Sequence, residues 1–395
     1  MKKRKTVYCE MAFLLDFFKN RPTFDEFEDY REDSWKGLGR FLRRSDLIVD
    51  VTQEDFFRDC EINASNADEE RIKTFLKSLI VKSTQGEINL SFKEKFISIK
   101  TIEGKEQELN SVFLTNLEDS ICQEKSKEYG VIVLNAAEVL SSNHLYKDNG
   151  IAFPNENNDK WDFLNKLNID SPQLNNCNSM LIVDNYVFSD SKDSRTKVVS
   201  VSFQDKIDYN LKPIFKALLP ERLADDLVFE ISIFTGDRKN NEVFDRPYNY
   251  ICSLLSQIRP NLKFRLTLYN KAFSEFHDRT IVTNNVWISC QAGFDIFGRK
   301  GKIRNITNTS VIFPYFPSDI EWAENAFRNV MKSAKNIIGR YPEQNKNFWG
   351  SREHKNRIVS YYTTDEVTET TKENQQGRNR NQSSEDRFSK NYAWG

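Results

Sequence analysis

The stretch FHDRTIVTNN, residues 276–285, combines residue types that could bind a phosphate or act on one. His277 and Arg279 stand two positions apart in an alternating apolar run, so in a strand their side chains point to the same face. An imidazole beside a guanidinium can contact the oxygens of a phosphate. The same pair can also be an ordinary polar face of a sheet, in which His277 is hydrogen-bonded within the structure.

Composition limits the classes of protein to which the chain can belong. Its 395 residues favour two domains, and 38% hydrophobic residues are enough to fill their cores. The 57 basic and 58 acidic residues leave a net charge of -1, so nucleic acid would have to bind a local basic patch. The six cysteines are scattered without a CxxC pair, which disfavours a zinc site and indicates thiols of a reducing cytoplasm. No segment predicts a membrane span or a signal peptide, so we expect a cytoplasmic protein.

Hydrophobic patterning predicts an α/β fold with two α/β domains. In residues 1–150, TVYCEMAFLLDFF reads as a buried strand followed by a helix, and DEERIKTFLKSLIV as an amphipathic helix. Gly130 is a helix stop before VIVL, which is typical of a strand in a parallel sheet. Residues 151–178 are rich in Asn, Asp and Pro and are predicted to be a linker.

Strand patterns return at residue 179 and define a second α/β domain, 179–345. Its last predicted helix carries a capping box of Ser318 and Glu321, an apolar stripe and a stop at Gly339. The tail, 362–395, is polar and is predicted to be disordered. Its final YAWG is either a docking peptide or a plain aromatic terminus.

Segments of the second half resemble the phospholipase-D-like domain that follows MIT (microtubule-interacting and transport) domains. IVDNYV corresponds to an I-x-D-P-Y-I strand, ISIFTG to a strand ending in Thr, and FHDRTIVTNNVWISCQAGFDIF to HDR, a strand, N-x-W, a strand and G-x-D-x-F. The resemblance covers about residues 179–316 and implies a phospholipase-D-type α/β fold.

The resemblance also implies roles for three residues. Catalysis in the wider superfamily uses HxK and a later Asp in two copies, with histidine as nucleophile and acid. His277 occupies the nucleophile position, Arg279 replaces the lysine, and Asn284 stands where the acid is expected. His144 and His354 do not complete a second copy. The resemblance therefore implies either phosphate binding without turnover or a homodimer that joins two half-sites.

The segment FLTNLEDSICQEKSKEYGVIVLNAAEVL, together with TVYCEMAFLL, resembles PIN-type ribonuclease domains. In that family clustered carboxylates hold Mg²⁺ or Mn²⁺, which activates a water. The resemblance implies Glu10 and Asp119 as catalytic residues and metal ligands, with Leu117 in a slot where another acid is usual. Glu69 is the expected third ligand, and Glu70 or Asp50 are alternatives. A degenerate scaffold with solvated carboxylates is the competing interpretation.

A dense basic segment, GRKGKIR, completes the candidate residues. Arg299, Lys300, Lys302 and Arg304 are predicted, with Arg279, to bind phosphate. The same letters also fit a solvated turn between strands.

Two functional hypotheses follow. The first is a nucleic-acid-associated protein, with RNA more strongly favoured than DNA. Its PIN-like half would be a metal-dependent ribonuclease and its other half would bind phosphate. It would form a homodimer and belong, by analogy, to a prokaryotic defence or toxin-like system. The second is a non-enzymatic adaptor that docks on an anionic membrane or a protein partner.

Overall fold

The computed structural model describes most of the chain. The described residues are 4–19, 30–64, 69–93, 108–141, 149–153, 161, 164–165, 174–189, 191–192, 199–236, 244–271, 279–291, 293–304, 307–312, 320–340, 348–350 and 356–363. They form a mixed α/β structure around a parallel sheet and a second sheet of mixed direction, which confirms the α/β fold class.

The first sheet is built from the N-terminal third of the chain. Its strands are β1 (Thr6–Cys9), β2 (Asp46–Val49), β3 (Leu90–Phe92), β4 (Val112–Leu114) and β5 (Ile132–Leu134). All five are parallel, in the order β3-β2-β1-β4-β5. Every residue of β4 and β5 is buried, as expected for the near-continuous apolar strands of a parallel sheet.

Helices connect these strands. They are α1 (Met11–Lys19), α2 (Tyr30–Leu42), α3 (Gln53–Ala64), α4 (Glu69–Thr84), α5 (Asp119–Tyr129) and α6 (Ala136–Ser141). α5 ends at Gly130, whose φ of 62° is left-handed, as its sequence position predicts. A 3₁₀ turn (Glu108–Asn110) precedes β4.

The second sheet has eight strands of mixed direction. The strands are β6 (Asn149–Phe153), β7 (Ser179–Val183), β10 (Phe229–Gly236), β11 (Phe264–Lys271), β12 (Thr280–Thr283), β13 (Trp287–Cys290), β14 (Thr307–Ile312) and β15 (Phe348–Gly350), in the order β15-β11-β10-β7-β12-β13-β14-β6. β7, β10 and β11 are mutually parallel, and the other pairs are antiparallel. β8 (Ser191–Lys192) and β9 (Val199–Val201) form a separate two-stranded ribbon.

The helices of this half are α7 (Phe203–Lys206), α8 (Lys212–Leu218), α9 (Asp245–Ile258), α10 (Ile320–Arg340) and α11 (Arg357–Thr363), with a π-helical turn (Ile207–Leu211) between α7 and α8. The predicted stripe of α10 is buried at Phe327, Val330, Met331 and Ala334, and Ile337 is buried more deeply than Ile338. Gly339 does not end this helix, which continues to Arg340, and Ser318 lies outside the described residues.

Several elements lie outside the boundaries that the sequence predicts. β6, most of which falls in the predicted linker, pairs with β14 at the edge of the second sheet. β15 and α11 extend the second unit beyond residue 345, and α11 includes residues 362 and 363, which were predicted to be disordered. The remainder of the tail lies outside the described residues.

The two sheets are joined by buried hydrogen bonds at the amino ends of the strands of the first sheet. The Asn178 side-chain amide donates to the carbonyl oxygens of Leu109, Tyr129 and Gly130 at 2.9, 3.1 and 3.0 Å. Lys5, immediately before β1, donates to the carbonyl oxygen of Asn284 at 3.0 Å. Buried side chains of both sheets belong to one contiguous hydrophobic core.

Candidate functional site

The carboxyl edge of the first sheet is the place where its topology favours a binding site. β1 lies at the centre, and the chain continues to β2 and β3 on one side and to β4 and β5 on the other. In open parallel sheets ligands bind beyond the carboxyl ends of the strands, where the order reverses. Glu10 directly follows β1, and its side chain reaches the end of β4, where the Asn116 amide donates to Glu10 Oε2 at 2.7 Å.

Asp50 follows β2 and lies beside Glu10. The Met11 amide, at the start of α1, donates to Asp50 Oδ1 at 2.7 Å, so one carboxylate oxygen caps the helix. The pKa of Glu10 is raised mainly by burial and further by the negative charge of Asp50, while the Asn116 hydrogen bond opposes the shift. The geometry therefore brings two carboxylates together at a cost that a bound cation would reduce.

Asp119 and Glu138 add negative charge on the β4–β5 side of this edge. The Asn135 side-chain amide donates to Asp119 Oδ1 and, at 3.1 Å, to the carbonyl oxygen of Leu117. Burial raises the pKa of the Cys122 thiol to about 11, and the charges of Glu138, Asp119 and Glu10 contribute in the same direction. Glu138 was not among the predicted site residues, because its strand-to-helix position becomes significant only when β4 and β5 are paired.

The four carboxylates of Glu10, Asp50, Asp119 and Glu138 are oxygen donors of the kind that divalent cations bind. Within the described ranges, no three His, Cys, Asp or Glu side chains lie close enough to bind one metal ion. The expected third ligand, Glu69, begins α4, and its side chain lies outside the described residues. Mg²⁺ binds through one or two carboxylates and keeps several waters, so the oxygen donors of Glu10 and Asp50 fit its chemistry without a third protein ligand.

Arg279 belongs to the second sheet's surroundings, where it immediately precedes β12 and lies beside the carboxyl end of β7. Its Nη1 donates to the carbonyl oxygen of Gln291 at 2.8 Å, and its guanidinium lies 5.4 Å from the centroid of the Tyr186 ring. Its side chain packs on Gly293, where a Cβ atom would stand 2.8 Å from Arg279 Cδ. His277 and the other two histidines lie outside the described residues, so the predicted His277–Arg279 pair stays a prediction.

Asp184 is the buried acid of this neighbourhood. It accepts the amides of Tyr186 and Phe294 at 2.7 and 2.6 Å and is fully buried. Burial raises the pKa of Asp184, as does Asp295, and Arg279 opposes the shift. The quoted motifs IVDNYV and GFDIF contain both acids, yet neither was selected as a site residue.

The basic segment forms a hairpin, residues 296–304, closed by the Gly298 amide on the carbonyl oxygen of Lys302 at 2.8 Å. Arg299 and Lys300 are exposed at its tip, and Lys300 has a φ of 56°. Lys302 is exposed beside them. Arg304 forms an ion pair of 2.9 Å with Asp295, which also accepts from Lys206 Nζ at 3.2 Å. All four predicted basic residues are therefore exposed to solvent, and Arg304 also belongs to a charge network.

Asn284 has a different position from the one that its predicted catalytic role requires. It is fully buried at the far end of β12, roughly 16 Å from Arg279 along an extended strand. Its side-chain amide donates to the carbonyl oxygens of Gly130 and Leu109 at 2.9 and 3.3 Å, and its Oδ1 accepts a hydrogen bond from the backbone N–H of Asn178 at 3.0 Å. Asn284 thus connects the two sheets and does not lie with Arg279.

Comparison of the chain with protein-family models gives no match, and comparison with curated protein sequences gives none. Among the described helices, none has both the length and the apolar character needed to cross a bilayer.

Proposed function

We propose that the protein binds RNA and cleaves it in a reaction that depends on Mg²⁺ or Mn²⁺ at the carboxyl edge of the first sheet. The observation that carries the proposal is the position of Glu10 at the point where the strand order reverses, with Asp50 beside it. Asp119 and Glu138 extend the same negative region. This arrangement supports a PIN-like identity for the first unit.

The roles of the chain's own residues follow from their contacts. Glu10 and Asp50 would hold the cation, since each is oriented by a backbone amide that occupies one carboxylate oxygen. Asn135 would keep Asp119 directed towards the edge. A bound divalent cation supplies a water of lowered pKa and offsets the charge that develops on the phosphate.

The second unit would bind RNA phosphates without chemistry of its own. Arg279 and the exposed tip of the hairpin supply cations, which supports the phosphate-binding interpretation and a phospholipase-D-like identity. The proposal includes a homodimer, in which two such units face one RNA. It also includes a setting in prokaryotic defence.

The test measures cleavage of a fluorescently labelled single-stranded RNA with Mn²⁺ or with EDTA. Cleavage should require the metal, and Glu10→Gln or Asp50→Asn should lower its rate at least about 100-fold, as loss of a metal-binding or transition-state group does. Glu124→Gln, on an exposed face of α5 with its side chain 71% accessible, is the matched control and should cleave normally. Metal-dependent cleavage that survives both site substitutions would sink the proposal.

An adaptor that docks on an anionic membrane is the second candidate. Ile303, 55% exposed, stands beside the exposed cations of the hairpin, and such a combination is typical of membrane-surface contacts. An adaptor of this kind would bind anionic vesicles and leave RNA intact when Mn²⁺ is supplied.

A further inference from the structure

Two exposed aromatic rings lie next to cations, one at the hairpin tip and one at Arg279. Tyr186 and Tyr209 are 41% and 39% exposed and belong to the small set of exposed large apolar side chains among the described residues. Exposed aromatic rings beside cations, Tyr209 at the hairpin tip and Tyr186 on Arg279, indicate a surface that contacts another molecule.

The Tyr209 ring packs against the hairpin tip. A Cβ atom at Gly301 would stand 3.4 and 3.5 Å from Tyr209 Cδ1 and Cε1. Arg299 and Lys300 directly precede Gly301 and are exposed. In the described part of the chain, no carboxylate lies within ion-pair distance of Arg299, Lys300 or Lys302. Tyr209 therefore presents a ring beside cations that are available to a ligand.

The Tyr186 ring is paired with Arg279. The 5.4 Å separation between the guanidinium carbon and the ring centroid is a cation–π contact. The hydrogen bond to the carbonyl oxygen of Gln291 restrains the guanidinium. A planar cation on an exposed ring is a surface on which another flat ring can stack.

A buried charge network joins the two tyrosines. Lys206 Nζ donates to the carbonyl oxygen of Tyr186 at 3.0 Å and contacts Asp295, which also pairs with Arg304 of the hairpin. Tyr209 follows Lys206 by three residues in the same helical segment. The backbone at Tyr186 and the helical segment that carries Tyr209 are therefore held relative to the hairpin before any ligand binds, which reduces the entropy cost of binding.

We propose that Tyr186, Tyr209, Arg279, Arg299, Lys300 and Lys302 form a surface for single-stranded RNA. Backbone phosphates bind the exposed cations, and unpaired bases stack on Tyr209 and on the Tyr186–Arg279 pair. Bases in a duplex already have both faces covered, so the rings select an unpaired strand. The choice of RNA rests on the proposed function, which this surface deepens by naming the form of its substrate.

The experiment measures binding of a dye-labelled single-stranded oligouridine by fluorescence anisotropy, in EDTA and in the Glu10→Gln background, so that cleavage plays no part. Tyr209→Ala and Tyr186→Ala should each weaken binding about tenfold, as loss of one stacked base does. Tyr209→Phe, which keeps the ring, should bind like the parent. Lys300→Ala should reduce the salt dependence of binding by about one phosphate contact, a slope change of about 0.7 for a single strand.

The inference would be overturned by no binding, by equal binding of a duplex of the same length, or by unchanged affinity in Tyr209→Ala. Binding to anionic vesicles that the oligouridine does not displace would assign the surface to a membrane instead. If binding behaves as expected but the parent protein does not cleave RNA with Mn²⁺, the surface stands and the proposed nuclease fails. If RNA is cleaved while both tyrosine variants bind normally, the nuclease stands and the surface fails.

Discussion

Asn178 and Asn284 connect backbone groups of the first sheet to the second, and both are fully buried. Their side-chain amides share the carbonyl oxygens of Leu109 and Gly130 as acceptors, and Asn284 Oδ1 accepts a hydrogen bond from the backbone N–H of Asn178. Both side chains and their acceptors are buried, so water cannot replace a lost hydrogen-bond partner. Breaking these hydrogen bonds therefore destabilises the protein more than breaking exposed ones.

Asn284→Ala should therefore destabilise the protein by about 3 kcal/mol. It leaves the buried backbone N–H of Asn178 without its acceptor and removes one donor from each of the buried carbonyl oxygens of Leu109 and Gly130. Urea unfolding followed by circular dichroism measures the change. Asn116→Ala is the matched control, since that side chain is exposed, and it should change stability by less than about 0.5 kcal/mol. Equal stability of the two variants would contradict the role assigned to Asn284.

Lys5 makes stability depend on pH. Burial lowers the pKa of Lys5 to about 7 from 10.5. Above pH 7 the unfolded chain keeps this proton and the folded protein has lost it, so stability rises with pH from about 7 towards the unfolded value. Below pH 7 both states are protonated, and the cost of burying the charge is present in full.

Between pH 7 and pH 9 the titration of Lys5 should raise the free energy of unfolding by about 2 kcal/mol. Lys5→Met, which retains the length of the side chain without the charge, should remove that part of the slope. Unfolding free energies of the parent and the variant at several pH values test it. If the two curves run parallel, Lys5 is not neutralised in the folded protein.

The sequence predicts which residues are chemically capable but not what they contact. Glu10 was selected because the resemblance to PIN-type domains implies a metal-binding acid at the end of the opening strand, and in the structure Glu10 lies where the strand order reverses. Asn284 was selected by its spacing from His277, but the groups it contacts come from residues 109 and 130, far away in the chain. Spacing within one segment cannot reveal a partner from another sheet.

At the scale of elements, the end of α5 and its glycine stop form one part of the contact between the sheets. A Cβ atom at Gly130 would overlap the Cys177 carbonyl and stand 2.8 Å from the Asn178 nitrogen. Gly130 therefore needs both a left-handed φ and close backbone approach. Only the first requirement is visible in the sequence, as a helix stop.

Gly130→Ala should cost about 3 kcal/mol or more, because the φ penalty of about 1–2 kcal/mol is added to a clash with backbone that must move. Gly86→Ala isolates the φ penalty, since Gly86 has a φ of 70° and no atom within 4 Å of its Cβ position. Thermal unfolding of both variants separates the two costs. A loss at Gly130 no larger than that at Gly86 would show that the backbone contact is not tight.

Elements with local patterns were predicted and elements defined by distant pairing were not. β1, β2, β4, β5, β7 and β10 to β13 fall within apolar runs that read as strands. β6 is only five residues in a polar region and becomes a strand through its pairing with β14, more than 150 residues later. A short edge strand of this kind has no periodicity of its own to detect.

At the scale of the whole molecule, the junction and the candidate sites occupy opposite ends of the same strands. The first sheet meets the second through residues that precede β1, β4 and β5, and its carboxylates follow the carboxyl ends of β1 and β2. In the second sheet, Asn178 precedes β7 and the Arg279 neighbourhood follows it. RNA cleavage and RNA binding would therefore take place on separate surfaces, and a substrate must be long enough to reach both.

α11 contacts both sheets at this junction. The Arg357 amide donates to Glu230 Oε2 at 2.6 Å, its Nη1 donates to the carbonyl oxygen of Asn178 at 3.0 Å, and the Tyr361 hydroxyl donates to the carbonyl oxygen of Arg4 at 3.2 Å. Ile358, Val359 and Tyr361 are buried. A helix seven residues long thus connects the start of the chain to the second sheet.

Ending the chain after residue 355 should therefore cost at least about 5 kcal/mol, since burying each of three large side chains contributes about 1.5–3 kcal/mol. That loss is comparable to the whole stability of a typical domain, so the shortened protein should be unfolded or melt far below the parent.

Ending the chain after residue 363 retains α11 and should leave the melting temperature unchanged. Tyr361→Phe, which loses only the hydroxyl contacts, should cost about 1 kcal/mol and keep a single cooperative transition, because the two sheets share one core. If the first truncation melts like the second, the junction is held without α11, by the shared core and by the hydrogen bonds of Asn178, Asn284 and Lys5.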